Sequence, residues 1–245
     1  SKLSEGRHKL TIRWYSKLNE LLDETTKEVV LYDNIYFGVD VSSYQKDINW
    51  QAVRNDGISF AIIRAGYRGY GTGEIAEDPK FYQNLIGARD AGIDIGVYFY
   101  SQAITVQEAI EEADFVVSRL NAYQAGSFVK LPIVIDTEFT GTNAGRADFL
   151  TTQQRTIIVK AFMDRITSYG YKPMVYSNKS FLELNLDMSQ LPNYEVWLAH
   201  YTSKDDPLSH PSSYNGQYEI WQYTSEGTVA GISGVVDRNI AYKKY

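Results

Sequence analysis

Cysteine is absent from all 245 residues, which excludes disulfides, thiolate metal sites and a cysteine nucleophile together. The compartment stays open, because exported and cytosolic proteins alike can do without it. Histidine is scarce as well, with only His8, His200 and His210, so a histidine-based metal site finds too few ligands and neither metal nor cofactor is expected. An excess of basic residues is also missing. Thirty Asp and Glu against twenty-four Lys and Arg leave a net charge of −6, which argues against nucleic acid as a partner. No apolar run reaches the roughly 18 residues that mark a spanning helix, and the opening Ser1-Lys-Leu-Ser-Glu-Gly-Arg7 lacks the apolar core of a signal peptide. The chain is therefore expected to be soluble and monomeric, with membrane contact arising only through an N-terminal anchor lost from this numbering. Internal repeats and low-complexity segments are lacking. Gly66-Tyr-Arg-Gly-Tyr-Gly-Thr-Gly73 is glycine-rich but has no Lys-Ser/Thr to cradle a phosphate, and it reads as a flexible loop over a cleft.

What is present is enough for a large core. With 44% hydrophobic and 22% charged residues, the chain fits one ordinary globular domain. Aromatic residues reach 14%, 20 of them Tyr, and Tyr and Trp join an apolar face to a polar edge, as a sugar-binding cleft requires. Residues 1–35 differ from the rest. Leu10, Trp14, Leu18 and Leu21 or Leu22 recur at helical spacing with charges between them, which predicts an amphipathic helix, hence an N-terminal helical extension or linker over 1–35. From Ile35 onward, short apolar runs alternate with helix-like segments, as in βα units. Strands are expected at 36–41, 59–65, 94–100, 132–137, 173–177, 196–200, 218–223 and 234–238. Helices are expected near 48–56, 80–91, 105–121, 152–169 and 179–185. The fold class is α/β, an eight-stranded barrel over 36–245 whose first five strands carry helices and whose last three do not.

The segment with most chemistry is Leu131-Pro-Ile-Val-Ile-Asp-Thr-Glu138, an apolar run ending in two carboxylates. Alternate strand residues point the same way, so Asp136 and Glu138 leave one buried strand into one cavity. The C-terminal mouth of a barrel is where such folds do chemistry, and two acids there are the minimum for cleaving a glycosidic bond. Asp40 and Asp237, at the first and last strands, would converge on the same mouth. Four carboxylates in one cleft repel one another, which is how one of them keeps its proton near neutrality.

Gly38-Val-Asp-Val-Ser-Ser-Tyr-Gln45, Ile48-Asn-Trp50, Phe60-Ala-Ile-Ile-Arg-Ala-Gly66, Gly96-Val-Tyr-Phe-Tyr-Ser101, Pro132-Ile-Val-Ile-Asp-Thr-Glu138, Met174-Val-Tyr-Ser177, Val196-Trp-Leu-Ala-His-Tyr201, Ile220-Trp-Gln-Tyr223 and Val236-Asp237 resemble, in order and spacing, the successive motifs of glycoside hydrolase family 25, the Chalaropsis-type lysozymes. The resemblance covers residues 36–245. It implies a flattened (β/α)5(β)3 barrel that hydrolyses the β-1,4 bond between N-acetylmuramic acid and N-acetylglucosamine in bacterial peptidoglycan, outside the cell or in its envelope, with retention. By the same resemblance Glu138 is the general acid and Asp136 orients the 2-acetamido group or stabilises the cationic centre. Asp40 and Asp237 complete the acidic cleft, while Tyr98, Tyr100, Tyr176, Trp197 and Gln222 line the sugar site. One departure is Lys46-Asp47 where the family's opening motif continues with Gly.

Each assignment has a plainer competitor. Asp136 or Glu138 could be a structural ion pair with Arg64, Asp237 could bridge to Arg238, and Asp40 could cap a turn. Tyr98, Tyr176 and Trp197 could be core. A non-catalytic glycan-binding barrel and a hydrolase of another acetamido-sugar polymer such as chitin are the competing functions, although residues 131–138 lack the extra acids of a chitinase-like run. Two residues of extended strand separate Cα atoms by roughly 6.5–7 Å, so side-chain rotamers decide whether the carboxyls sit about 5 Å or about 9 Å apart, and for a retaining outcome the alternatives are a covalent Asp intermediate and assistance by the substrate's acetamido group. The latter is the expectation.

Overall fold

The computed structural model describes residues 6–31, 35–141 and 144–245. It divides into two compact units, Ser1–Ile35 and Tyr36–Tyr245. The first unit corrects the expected N-terminal helix: β1 (Gly6–Tyr15) and β2 (Leu21–Leu31) form an antiparallel hairpin. Leu10, Trp14 and Leu18 satisfy a helical period, but Ile12 and Trp14 alternating with Thr11 and Arg13 satisfy a period of two equally well, and β2 carries Thr25, Thr26, Val29 and Val30, whose β-branching favours strand. Cross-strand chemistry then decides. Arg13 pairs with Glu24, and the hydroxyls of Thr11 and Thr26 meet at 2.9 Å. The connecting turn is closed by Ser16, whose hydroxyl accepts from the amides of Leu18 and Glu20, and by Asn19 in the left-handed region at φ 63°.

The second unit runs β3 (Tyr36–Val41), α1 (Trp50–Asn55), β4 (Phe60–Arg68), β5 (Ile75–Glu77), α2 (Phe81–Asp90), β6 (Asp94–Tyr100), α3 (Val106–Ala122), β7 (Val129–Asp136), α4 (Thr152–Ser168), β8 (Pro173–Asn178), α5 (Lys179–Leu184), β9 (Glu195–Ala199), β10 (Ile220–Gly227) and β11 (Val236–Ala241). The barrel closes in the order β3-β4-β6-β7-β8-β9-β10-β11 and back to β3, with helices after the first five barrel strands and none between the last three. Seven strands are parallel. β11 is antiparallel to both its neighbours, which corrects the expectation of a uniformly parallel set. β5, not foreseen, pairs antiparallel with the end of β4. The glycine-rich segment between them is a pinned hairpin: Gly69 and Glu74 bond through their backbones, and the Arg68 guanidinium donates to Gly73 O at 2.7 Å while pairing with the buried Glu112.

Side chains alternate along every barrel strand, and the inward set changes character with height. Phe60, Ile62, Val134, Met174, Trp197 and Ile220 fill the lower interior as one apolar cluster. Gly38 makes room there, since a Cβ at that position would meet the Phe60 ring at 2.3 Å. Continuing two residues at a time toward the mouth gives Arg64 from Phe60 and Ile62, Asp136 and Glu138 from Val134, and Tyr176 from Met174. The outward set, including Ile63, Val97, Phe99, Ile135, Val175 and Leu198, is buried against the helices, whose Leu85, Val116, Val159 and Phe162 are also buried. The helices start where sequence permits: Thr105 accepts from the Glu108 amide, Thr151 and Gln154 form a reciprocal capping box, and Asn178 accepts from the Phe181 amide. A dry apolar floor of this kind fixes the strands rigidly and leaves the polar groups to the upper layer.

Candidate active site

Three strands bring four carboxylates to one cavity of about 910 Å³, lined among others by Asp40 from β3, Arg64 from β4, Tyr98 and Tyr100 from β6, Asp136 and Glu138 from the end of β7, and Asp237 from β11. Asp237 reaches the mouth for a reason opposite to the expected one. Because β11 is antiparallel, its beginning lies at the mouth, where Asp237 stands in register with Asp40. Asp136 and Glu138 point the same way, as a period of two requires, but at different depths. Asp136 is 6% exposed and Glu138 is only partly covered.

The competing structural readings of these acids do not match the pairings found. Arg64 is committed to Asp78, with its Nε donating at 2.8 Å and Nη2 at 2.7 Å, and it lies 5.1 Å from the Tyr44 ring centroid and 5.6 Å from that of Tyr67. Its charge faces the cavity without neutralising Asp136 or Glu138 through a direct bond. Burial pushes Glu138 up to about 7, with the nearby Asp237 charge adding to it. Asp237 itself rises to about 6, again chiefly through burial. Asp40 and Asp136 are held well above the usual carboxylate range, first by burial and then by the charges of Asp237 and Glu138 respectively. A cluster of this kind keeps at least one proton near neutrality, and Glu138, only partly covered and bordering two cavities, is placed to hand it to a ligand.

One atom in the cluster has no partner. Asp136 Oδ1 is buried and accepts no hydrogen bond from the protein. An unpaired buried acceptor costs about 1–3 kcal/mol, more when charged, so it marks a place where a donor from outside is expected to bind. Asp40 is the opposite case: its Oδ2 accepts from Gln222 Nε2 at 2.9 Å and from Asn239 Nδ2 at 2.8 Å.

A second cavity, about 650 Å³, is lined by Tyr176, Asn178, Lys179, Ser180, Glu183, Ala199, His200 and Tyr201, and it shares Glu138 with the first. Glu138 therefore stands between two hollows, a position suited to a bond that joins a unit in one to a unit in the other. Tyr98 and Tyr100 line the acidic cavity and Tyr176 the second, as their strand ends predict. Trp197 and Gln222 require correction. They are 1% and 2% exposed and line neither cavity. Trp197 lies under the floor, its ring 4.4 Å from that of Tyr176 and 6.0 Å from that of Tyr98, and donates its indole N–H to Asn239 Oδ1 at 2.7 Å. Tyr201, two residues beyond the end of β9, is the aromatic side chain of that strand line that reaches a cavity, beside Ala199. Its parity with Trp197 is the signal that would have found it. Tyr67, Tyr70, Asn239 and Asp78 were also missed. Their roles come from hydrogen bonding and from the β4–β5 hairpin, neither of which a strand pattern reveals.

A family model described as "Glycosyl hydrolases family 25" matches residues 39–232. Lysozyme M1 of Streptomyces globisporus is 30% identical over 207 residues, covering 82% of this chain and 66% of that protein. The N,O-diacetylmuramidase of Chalaropsis sp is 30% identical over 149 residues, 59% of this chain and 66% of its own length. Among solved structures, the bacterial lysozyme from Streptomyces coelicolor matches with a TM-score of 0.65 at 27% identity, over 84% of this chain and 92% of that one. The modular autolysin LytC from Streptococcus pneumoniae, solved with a synthetic peptidoglycan ligand, matches with a TM-score of 0.72 at 24% identity, over 94% of this chain and 56% of that one. The chain thus spans about two thirds of the length of these two sequence relatives.

Proposed function

Because the chain belongs to family 25 of the glycosyl hydrolases, we propose that it is a 1,4-β-N-acetylmuramidase, cleaving the bond between N-acetylmuramic acid and N-acetylglucosamine in bacterial peptidoglycan. Lysozymes and a muramidase among its relatives support the substrate. Peptidoglycan lies outside the cytoplasmic membrane, so the place of action is the cell envelope or beyond. All four acids come from one chain, so a monomer suffices.

The chemistry follows from the protonation states. Glu138 retains its proton up to about pH 7 and donates it to the glycosidic oxygen as the C–O bond breaks. The sugar in the acidic cavity develops positive charge at its anomeric carbon, which the surrounding carboxylates stabilise. The substrate's acetamido oxygen attacks that carbon from the opposite face and forms a cyclic oxazolinium, while Asp136 accepts the acetamido N–H. Glu138, now ionised, takes a proton from water as it attacks the same carbon, reopening the ring with net retention. The observation that carries this sequence is Asp136 Oδ1, buried beside Glu138 with its acceptor capacity unused. A carboxylate meant to bond the anomeric carbon needs no donor. One meant to hold an amide N–H does.

The test is hydrolysis of a purified disaccharide-peptide oligomer followed by proton NMR from the first turnover, with chitin oligomers alongside. The β-anomer of a muramic acid reducing end should appear first, and Asp136→Asn should lower turnover by about 10²–10⁴-fold. An initial α-anomer, preference for chitin, or a mild effect of Asp136→Asn would each remove a part of the proposal.

A further inference from the structure

Below the acids lies a hydrogen-bonded chain that ends on Asp40, and its polarity at Asn239 is fixed by a group that can only donate. The Trp197 indole N–H can only donate, so the Asn239 amide must turn its oxygen to it and its NH2 toward Asp40. The Gln222 oxygen receives the hydroxyls of Tyr176 at 2.8 Å and Tyr201 at 2.9 Å, and its NH2 donates to Asp40 Oδ2 at 2.9 Å. Two side-chain N–H groups therefore converge on Asp40 Oδ2. Gln222 and Asn239 are 2% and 0% exposed, so neither can touch a saccharide. The chain also joins the two hollows from beneath: Tyr176 and Tyr201 line one, Asp40 lines the other, and Glu138 stands between them above.

Resting on the glycosidase chemistry above, we infer that Gln222 and Asn239 are positioning residues for Asp40, that Trp197 acts through Asn239, and that Tyr176 and Tyr201 act through Gln222, so that the Asp40 carboxyl is held in place at the acidic cavity with its charged form favoured by two N–H donors. The physical basis is simple. Two N–H donors favour the charged carboxylate and oppose the burial and the Asp237 charge that favour its protonation. The other titratable or charged groups lining the cavity are Asp136 and Glu138 from the end of β7, Asp237 from β11, Arg64, Tyr67 and Arg68 from β4, Tyr70 from the β4–β5 hairpin, Tyr44 after β3, and Tyr98 and Tyr100 from β6. None of these donates a hydrogen bond to Asp40 in the structure, so removing one amide donor shifts the balance at Asp40 directly. Asp40 in turn adds to the negative field that, after burial and Glu138, raises Asp136, and a change at Gln222 is felt two groups away.

The experiment is a carbon-detected NMR titration of the Asp40 side-chain carboxyl in the full chain, comparing wild type with Gln222→Met, which removes the donor at nearly constant volume. The midpoint of Asp40 should rise by about one pH unit, a tenfold change in proton affinity. The acid limb of the pH–rate profile should move up with it, while KM stays within about twofold. In an Asp40→Asn background the same substitution should then cost little further turnover, because its effect is routed through Asp40. Asn239→Asp, which keeps the acceptor for Trp197 and loses the donor, is the second variant should Gln222→Met fail to fold. A folded Gln222→Met or Asn239→Asp whose Asp40 midpoint is unmoved, with only the melting temperature lowered, overturns the inference. The titration needs no substrate, so inactivity of wild type on muropeptides would count against the proposed function and leave this test standing.

Discussion

A stable, inactive enzyme should result from Glu138→Gln, and the gain should depend on pH in one direction. Burial and the neighbouring Asp237 lift the Glu138 carboxyl from an ordinary value near 4.5 to about 7. The folded chain thus keeps this proton to a higher pH than the unfolded chain does. The sign follows: stability is greatest below about pH 4.5, falls as pH rises from there to about 7, and stays at the lower level above. At about 1.4 kcal/mol per pH unit, with a discount for the edge of the carboxyl open to solvent, ionised Glu138 costs the fold about 2–3 kcal/mol. Gln never ionises and so never incurs that cost. Glu138→Gln should match wild type in urea unfolding at pH 4 and exceed it by about 2–3 kcal/mol at pH 8, a rise in melting temperature of roughly 4–12 °C for a unit of this size. Turnover on peptidoglycan should fall in the same variant by about 10²–10⁴-fold. An equal stability difference at both pH values, or a loss at pH 8, would refute the electrostatic account of this acid; near-native turnover would remove it from catalysis.

Three further outcomes follow. Asp237→Asn removes the charge that helps Glu138 hold its proton, so the alkaline limb of activity, near pH 7 in wild type, should move to lower pH; a limb that stays put would show that burial alone sets it. Exhaustive chelation should leave activity intact, because an acid–base glycosidase needs no cation and the described residues hold no group of three His, Asp or Glu side chains able to share one; a loss restored by one particular metal would contradict this. Deleting the chain up to Asn34 should leave a folded barrel that still hydrolyses soluble muropeptides, since every residue lining the acidic cavity lies beyond it; a soluble, folded but inactive truncation would show that the hairpin completes the site.

The barrel was legible because its signals are local and redundant. An apolar run with the right parity, such as Ile133 to Asp136, and a cap such as Thr151 with Gln154 each locate an element without knowledge of the rest. The acids were legible for the same reason, since alternation carries Asp136 and Glu138 to one side wherever the strand lies. The N-terminal hairpin was not, because Leu10, Trp14 and Leu18 fit a helical and an extended period alike and the deciding contacts, Arg13 with Glu24 and Thr11 with Thr26, lie eleven and fifteen residues apart in the chain. Trp197 and Gln222 were placed on the correct face and at the wrong height. Strand pattern gives a side of the sheet, while height depends on register between strands, which is a property of pairs. Asp237 was placed correctly although the direction of its strand was not, because a residue at the start of an antiparallel strand and one at the end of a parallel strand share the same rim.

That reversed strand has an architectural consequence. In a barrel of strand–helix units the last helix brings the chain back down from the mouth, and here β11 makes that return itself while also sealing the wall between β10 and β3. The barrel consequently starts and finishes at one pole: Tyr36 pairs with Ala241, and Tyr36 and Tyr245 border the same small hollow beneath the floor. A short linker could join these ends, and new termini could open in the exposed Lys204-Asp205-Asp206 segment between β9 and β10, giving a circularly permuted enzyme with the same eight-stranded wall. A segment joined to the barrel at Tyr36 or Tyr245 would leave from the pole opposite the cleft, and the size of a polymer reaching the mouth would be no concern of its point of attachment.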